Sequence, residues 1–284
     1  MRMVAFLGGL KGYRRRIALS LLLAMAESGG QVMLPFLIGI ALDDYLDGSF
    51  RGLILLASIG LVTMLLAVTR RLHDPRLYAR IYQEIAVEAL EREAALSKKT
   101  ARLNMLREVV DFLEYSMPLL IANLSAFIGT LAFLAALSLP VFVGAVIMSA
   151  LIVAIYAATT RRTVALNRGY NDEYERQVDV LGRNDSKRAR RHVGLLSRWT
   201  IRLSDLDTIN YSLSLALTIA LQLFAIVTIT RSGMDEGAIL SVVLYVFEFS
   251  ATASYLPDSW QEYLRLREIL QRIGNVQASP GSLM

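Results

Sequence analysis

The chain has 284 residues, no cysteine, 55% hydrophobic and 19% charged residues, and a mean hydropathy of +0.45. Soluble domains carry roughly 25% charged residues, and here the charges gather into blocks between long uncharged runs, a segregation that points to a polytopic membrane protein. The lack of cysteine excludes a disulfide scaffold, a cysteine-ligated metal and a thiol nucleophile, while 18 glycines and six prolines are too few for a disordered or fibrous chain.

A helix needs about 20 mostly apolar residues to cross ~30 Å of hydrocarbon at ~1.5 Å per residue. Residues 1–16 read as an amphipathic N-terminal elbow segment ahead of the first span, 17–42. That span also imitates a signal peptide, with Arg14-Arg15-Arg16 before an apolar run and Ala24-Met25-Ala26 as a cleavage site. The apolar run resumes through Val32–Leu42, however, so an uncleaved helix is expected. The second span is 52–69. From Met117 to Thr160 there are 44 residues without a charge, about 66 Å as one helix. The run must therefore fold back, with Ser138-Leu139-Pro140 as the hinge. This gives spans at 117–138 and 140–160; 208–230 and 237–257 complete six, leaving 259–284 as an amphipathic lead-out and tail.

The 30 basic residues then divide sharply. The N-terminus, the two loops 70–116 and 161–207 and the C-terminus hold 28, and the opposite face holds only Arg51 and Arg231. The positive-inside rule places both termini and both long loops in the cytoplasm, and the basic clusters answer to topology and lipid headgroups instead of nucleic acid. Each loop has 47 residues and helical composition, broken near its middle at Ser97–Thr100 and at Gly182–Ser186. The fold class is therefore all-α, with six transmembrane helices and two long helical cytoplasmic loops. Each membrane helix should continue as an arm about 30 Å long before turning back.

No site for soluble chemistry emerges. His73 and His192 lie in different loops and show no metal-ligand spacing, and there is no G-x-S-x-G or H-E-x-x-H. The G-x-x-x-G pairs Gly8/Gly12, Gly48/Gly52 and Gly233/Gly237 fall at helix ends or in loops, so close-packing motifs are poorly supported. The threefold repeat of mitochondrial-type carriers is missing. Glu27 and Glu248 are the acidic residues inside the spans, each counted to mid-depth, with Gln31 and Tyr245 as same-face polar neighbours at i+4 and i−3. A charge there costs at least ~2.5 kcal/mol on insertion scales, so it faces a cavity, a partner or a proton.

Several segments resemble the transmembrane domain of type I exporter-fold ABC transporters, in order along about residues 1–273. They are the amphipathic Met3–Tyr13; Pro35, Gly39 and Asp43 closing the first helix; Asp111 in REVVDFLEYSMPLLI; GMDEGAILSVVLYVFEF entering the sixth helix; and the lead-out YLRLREILQRI. RLSDLDTIN at 202–210 is similar to stand-alone six-helix members of that superfamily. No G-x-x-x-x-G-K-[ST] phosphate loop is present, and Ser28-Gly29-Gly30-Gln31 imitates a signature motif from inside a span, where no ATP site forms.

The resemblance implies a membrane-spanning exporter subunit of a bacterial inner membrane, not itself an enzyme. It implies a homodimer or heterodimer working with a separately encoded ATPase that carries Mg-ATP. The alternatives are an ATP-independent transporter or channel of the same fold, and a membrane scaffold. Glu27, Gln31, Tyr245 and Glu248 are the translocation-cavity candidates, suited to a cationic substrate. Lys98, Lys99, Arg183, Lys187, Arg188, Arg190 and Arg191 are the candidates for docking the ATPase.

Overall fold

The structure, a computed structural model, describes residues 12–92, 103, 106–108, 110–182, 185–253 and 255. Among these there is no strand; the helices are α1 (Arg14–Leu46), α2 (Arg51–Arg92), α3 (Met117–Leu137), α4 (Leu139–Glu175), α5 (Gln177–Gly182), α6 (Ser186–Thr230) and α7 (Glu236–Ala253). Six are long and apolar enough to cross a membrane. Most of elbow segment 1–16 and the lead-out 259–284 lie outside the described residues.

Sequence explains where the helices stop. Ser138 adopts an extended conformation (φ −152°, ψ 95°) and ends α3, and α4 begins at once with Leu139-Pro140, where proline at the second position needs no N–H donor. The turns after α1 and α6 close with Gly48 (φ 77°) and Gly233 (φ 67°), in the left-handed region where glycine alone avoids a steric penalty. At the break before α6, Asp185 Oδ1 accepts from the backbone N–H of Lys187 (2.9 Å) and Arg188 (3.3 Å), an N-cap for that helix. Many large apolar side chains are exposed, among them Ile54, Leu61, Ile147, Val153 and Leu223. In water they would be a liability; on membrane-spanning helices they meet lipid.

The chain divides into two compact units, Met1–Ser138 with Ile229–Met284, and Leu139–Thr228. In the first, α1 and α2 pair antiparallel, with Gly52 against the Ala41 backbone, Gly30 against Thr63 and Tyr13 Oη donating to Glu84 at 2.5 Å. That last bond raises the Tyr13 phenol above its ordinary pKa. In the second half of α2, Leu77, Tyr78, Ile81 and Ala86 form a buried cluster with Leu106 and Val110. A π-helical turn at Phe112–Ser116 follows and leads into α3.

The seam between α1 and α7 is the tightest in this unit. Gly39 meets the backbone of Gly237 so closely that a Cβ on either would collide with main chain or with Asp43. The spacing motifs miss this contact because the two glycines belong to different helices. Pro35 has no N–H to give the Gln31 carbonyl, which breaks the α1 ladder there. Beside the break, Ser241 Oγ donates to the Pro35 carbonyl (3.0 Å) and Tyr245 Oη to the Val32 carbonyl (2.9 Å). The Tyr245 ring stacks on Phe133 of α3 at 4.8 Å, and Phe249 stacks on Phe127 at 5.3 Å.

The second unit is an antiparallel hairpin of α4 and α6, fastened along its length. Gly144 packs on Leu221 and Phe224, Asn210 Nδ2 donates to Thr159 Oγ1 (3.1 Å), Gly169 lies against the Trp199 indole, and His192 Nδ1 is 2.7 Å from Glu173 Oε1. These contacts span about 43 Å of helix, more than the hydrocarbon thickness.

Gly39→Val should lower the thermal midpoint in detergent by an amount matching about 1–3 kcal/mol of overpacking. Gly29, where an added Cβ meets nothing within 4 Å, should accept alanine with a gain of about 0.5–1 kcal/mol. Equal midpoints for the two variants would show that the α1–α7 seam is not close-packed.

Candidate functional site

The α1 helix places small or polar residues at helical spacing on one buried face: Ser20, Ala24, Glu27, Ser28 and Val32. Glu27, only 6% exposed, is therefore carried into the packed interior, where a lone carboxylate is costly. Arg70 of α2 answers it. Arg70 Nε donates to Glu27 Oε2 at 2.6 Å, and Nη1 to Asp74 Oδ2 at 3.3 Å, one α-helical turn further on. Asp74 is 3% exposed, so one guanidinium serves two buried carboxylates from two helices, the forked geometry for which arginine is suited. Gln31 Nε2 donates to Glu27 Oε1 over a long 3.5 Å, and His73 Nδ1 lies 3.4 Å from Asp74 Oδ1.

Distance along α1 can be counted from the turn at Gly48. Asp43 is the innermost charge on α1 before that turn, and Glu27 lies 16 residues inward of it, about 24 Å along the axis. Counting from Ile17 instead gives mid-depth in a ~30 Å slab. Arg70, the first charge after the second span, could have been suspected as the partner; the pairing itself depends on how α1 and α2 register.

The four cavity candidates do not converge on one point. Glu27 and Gln31 belong to the arginine-centred cluster. Tyr245 is fully buried, with its hydroxyl on α1 and its ring on α3. Glu248 is exposed, next to exposed Phe247, and its carboxylate has no hydrogen-bond or ion-pair partner among the described residues.

At the tip of the α4–α6 hairpin, Lys187, Arg188, Arg190 and Arg191 are all exposed within the first two turns of α6. Cations at a helix N-terminus oppose the helix dipole. Only Arg188 has an ion-pair partner there among the described residues, Asp185 at 3.4 Å. Local stability therefore does not account for four of them. Lys98, Lys99 and Arg183 lie outside the described residues.

Both histidines have a carboxylate neighbour that the spacing search overlooked: His73 has Asp74 beside it, and buried His192 has Glu173 brought to it by the hairpin. Among the described residues, no group of three His, Cys, Asp or Glu side chains could hold a metal ion.

Compared with known families, the chain matches the ABC transporter transmembrane region over residues 9–237, from upstream of α1 to the first turn of α7. None of the curated proteins matches it.

Removing one partner of a buried ionic cluster strands the others. Arg70→Leu, which leaves Glu27 and Asp74 facing each other, should cost about 3 kcal/mol. Glu27→Gln, which keeps a hydrogen-bonding side chain beside Arg70, should cost about 1 kcal/mol. Thermal unfolding in detergent checks the order, and a larger loss for Glu27→Gln would refute it.

Proposed function

Since the chain belongs to the family of ABC transporter transmembrane regions, we propose that it is the membrane-spanning subunit of an ABC-type exporter, driven by a separately encoded ATPase. In this reading the motor and its Mg-ATP belong to that second subunit. The observation that carries the reading is the family match combined with helices much longer than a bilayer. The α2, α4 and α6 helices have 42, 37 and 45 residues, about 63, 56 and 68 Å, against ~30 Å of hydrocarbon.

Such helices are levers. The α4–α6 hairpin is fastened from Gly144 to His192, so displacement of its tip is delivered as rigid-body motion of the membrane segments. In the proposed cycle two copies, or this chain and a related one, form the pathway. ATP-driven closure of the ATPase draws the inner arms together and switches access across the membrane, a two-state change biased by differential affinity. The working location is the bacterial inner membrane, with both termini in the cytoplasm as the basic-residue asymmetry directs.

The exposed basic residues at the start of α6 support a docking role, since they steer an acidic partner without helping their own helix. Glu248 supports a place on the pathway. It is an exposed carboxylate without a partner among the described residues, about 18 Å along α7 from Glu236, and it would favour a cationic or amphipathic cationic substrate. Glu27 contributes to the pathway through Arg70, so its charge is shared.

A stoichiometric ATPase should co-purify from native membranes in mild detergent, and the purified chain alone should hydrolyse no ATP. Reversal of Lys187 and Arg188 to glutamate should weaken the association at least tenfold while insertion is kept, the loss of about 1.4 kcal/mol. A reproducible absence of any ATPase would instead favour an ATP-independent transporter or a scaffold.

Glu248→Gln preserves shape and removes charge. Export of cationic compounds by cells should fall severalfold in this variant, with neutral compounds little affected. Undiminished cationic export would place Glu248 off the pathway.

A further inference from the structure

A groove of about 310 Å³ opens between the middle of α2 and the start of α3, within the first unit. Its lining changes character along its length. Arg70, Arg71, Asp74 and Glu114 bring charges to one part, and Pro118, Leu119 and Ala122 bring an apolar wall that belongs to the uncharged span. The site therefore straddles the boundary between headgroup and hydrocarbon, where only an amphiphile matches both halves.

The charges available to a ligand are fewer than those present. Arg70 is held by Glu27 and Asp74. Arg71 is exposed and has no ion-pair partner among the described residues, so its guanidinium is available for a bidentate contact with phosphate. Glu114, on the π-helical turn, lines the same groove; it is half-buried, accepts a hydrogen bond from the adjacent Tyr115 hydroxyl and has no ion pair among those residues. Two prolines add to this. Pro75 and Pro118, both lining the groove, have no N–H for the carbonyls four residues back, those of Arg71 and Glu114. A cation able to donate several hydrogen bonds can use the Glu114 carboxylate and such carbonyls together. The exposed ring of Tyr115 offers it a π face.

We propose that this groove is a binding site for a zwitterionic membrane lipid whose headgroup joins a phosphate to a primary ammonium. The phosphate lies on Arg71, the ammonium on Glu114, and the glycerol and upper acyl chain lie along Pro118, Leu119 and Ala122. A choline headgroup cannot donate the ammonium hydrogen bonds, and a glycerol headgroup has no cation for Glu114. The site faces the inner leaflet and is independent of any ATPase.

The test uses the intact chain in detergent, with retained lipid counted by native mass spectrometry. Dioleoyl phosphatidylethanolamine, phosphatidylcholine and phosphatidylglycerol are added in turn, and soluble glycerophosphoethanolamine serves as competitor. The ethanolamine lipid should be retained about tenfold better than either alternative, the factor that one charge-assisted hydrogen bond carries. Arg71→Gln and Glu114→Gln should each lose about that factor at an unchanged thermal midpoint. Leu119→Trp, at an exposed position that fills the apolar end, should lower retention of the ethanolamine lipid while leaving both charges in place. Equal retention of the three lipids, or unchanged binding in both charge variants, overturns the assignment. Displacement by glycerophosphoethanolamine at equal concentration overturns the lipid as its occupant.

Discussion

Where no water is at hand, every buried polar group must find its partner within the protein, and α1 is where the first unit meets that constraint. One helix supplies the carbonyls of Val32 and Pro35, the carboxylates of Glu27 and Asp43, and the glycine that lets α7 approach. The Asp43 carboxylate accepts from the Gly237 N–H at 2.6 Å, placing a negative charge at the positive end of α7 and satisfying one of its unpaired donors. Hydrophobic attraction between helices is weak in lipid, so close packing and such hydrogen bonds carry the association. Gly39 and Gly237 are small so that both can occur at one place.

The ionic cluster around Glu27 works under the same constraint with a different compromise. Two carboxylates share one guanidinium, with His73 at the edge. Buried ion pairs gain little stability after their desolvation. Their value is in register, since sliding α2 by one residue against α1 would separate Arg70 from Glu27 and leave both uncompensated. The same cluster fixes one wall of the groove, which leaves Arg71 and Glu114 as the charges that a ligand can engage.

The second unit is built for stiffness. Its two helices are joined by packing at Gly144 and Gly169 and by polar contacts at Asn210 and His192, so apolar clasps alternate with directional ones. Arg202 lies over the Trp199 ring at 5.3 Å, which covers the clasp at Gly169. A hairpin fastened at both ends and in between bends little.

Composition and the spacing of charges were enough to determine the membrane class, the six long apolar helices, the helix end at Ser138 and the break at Gly182–Ser186. Those features follow from chain-local physics: the length needed to cross hydrocarbon, the lost donor of proline and the cost of burying charge. The ordered motifs also pointed to the family. Pairings across helices were not legible. Nothing in the sequence says that Gly39 meets Gly237, that Arg70 rather than a substrate answers Glu27, that Tyr245 turns into the core while Glu248 faces out, or that Glu173 reaches His192. Each depends on the rotation and register of one helix against another. Many side chains share that packing decision, and it becomes definite only when the helices are assembled.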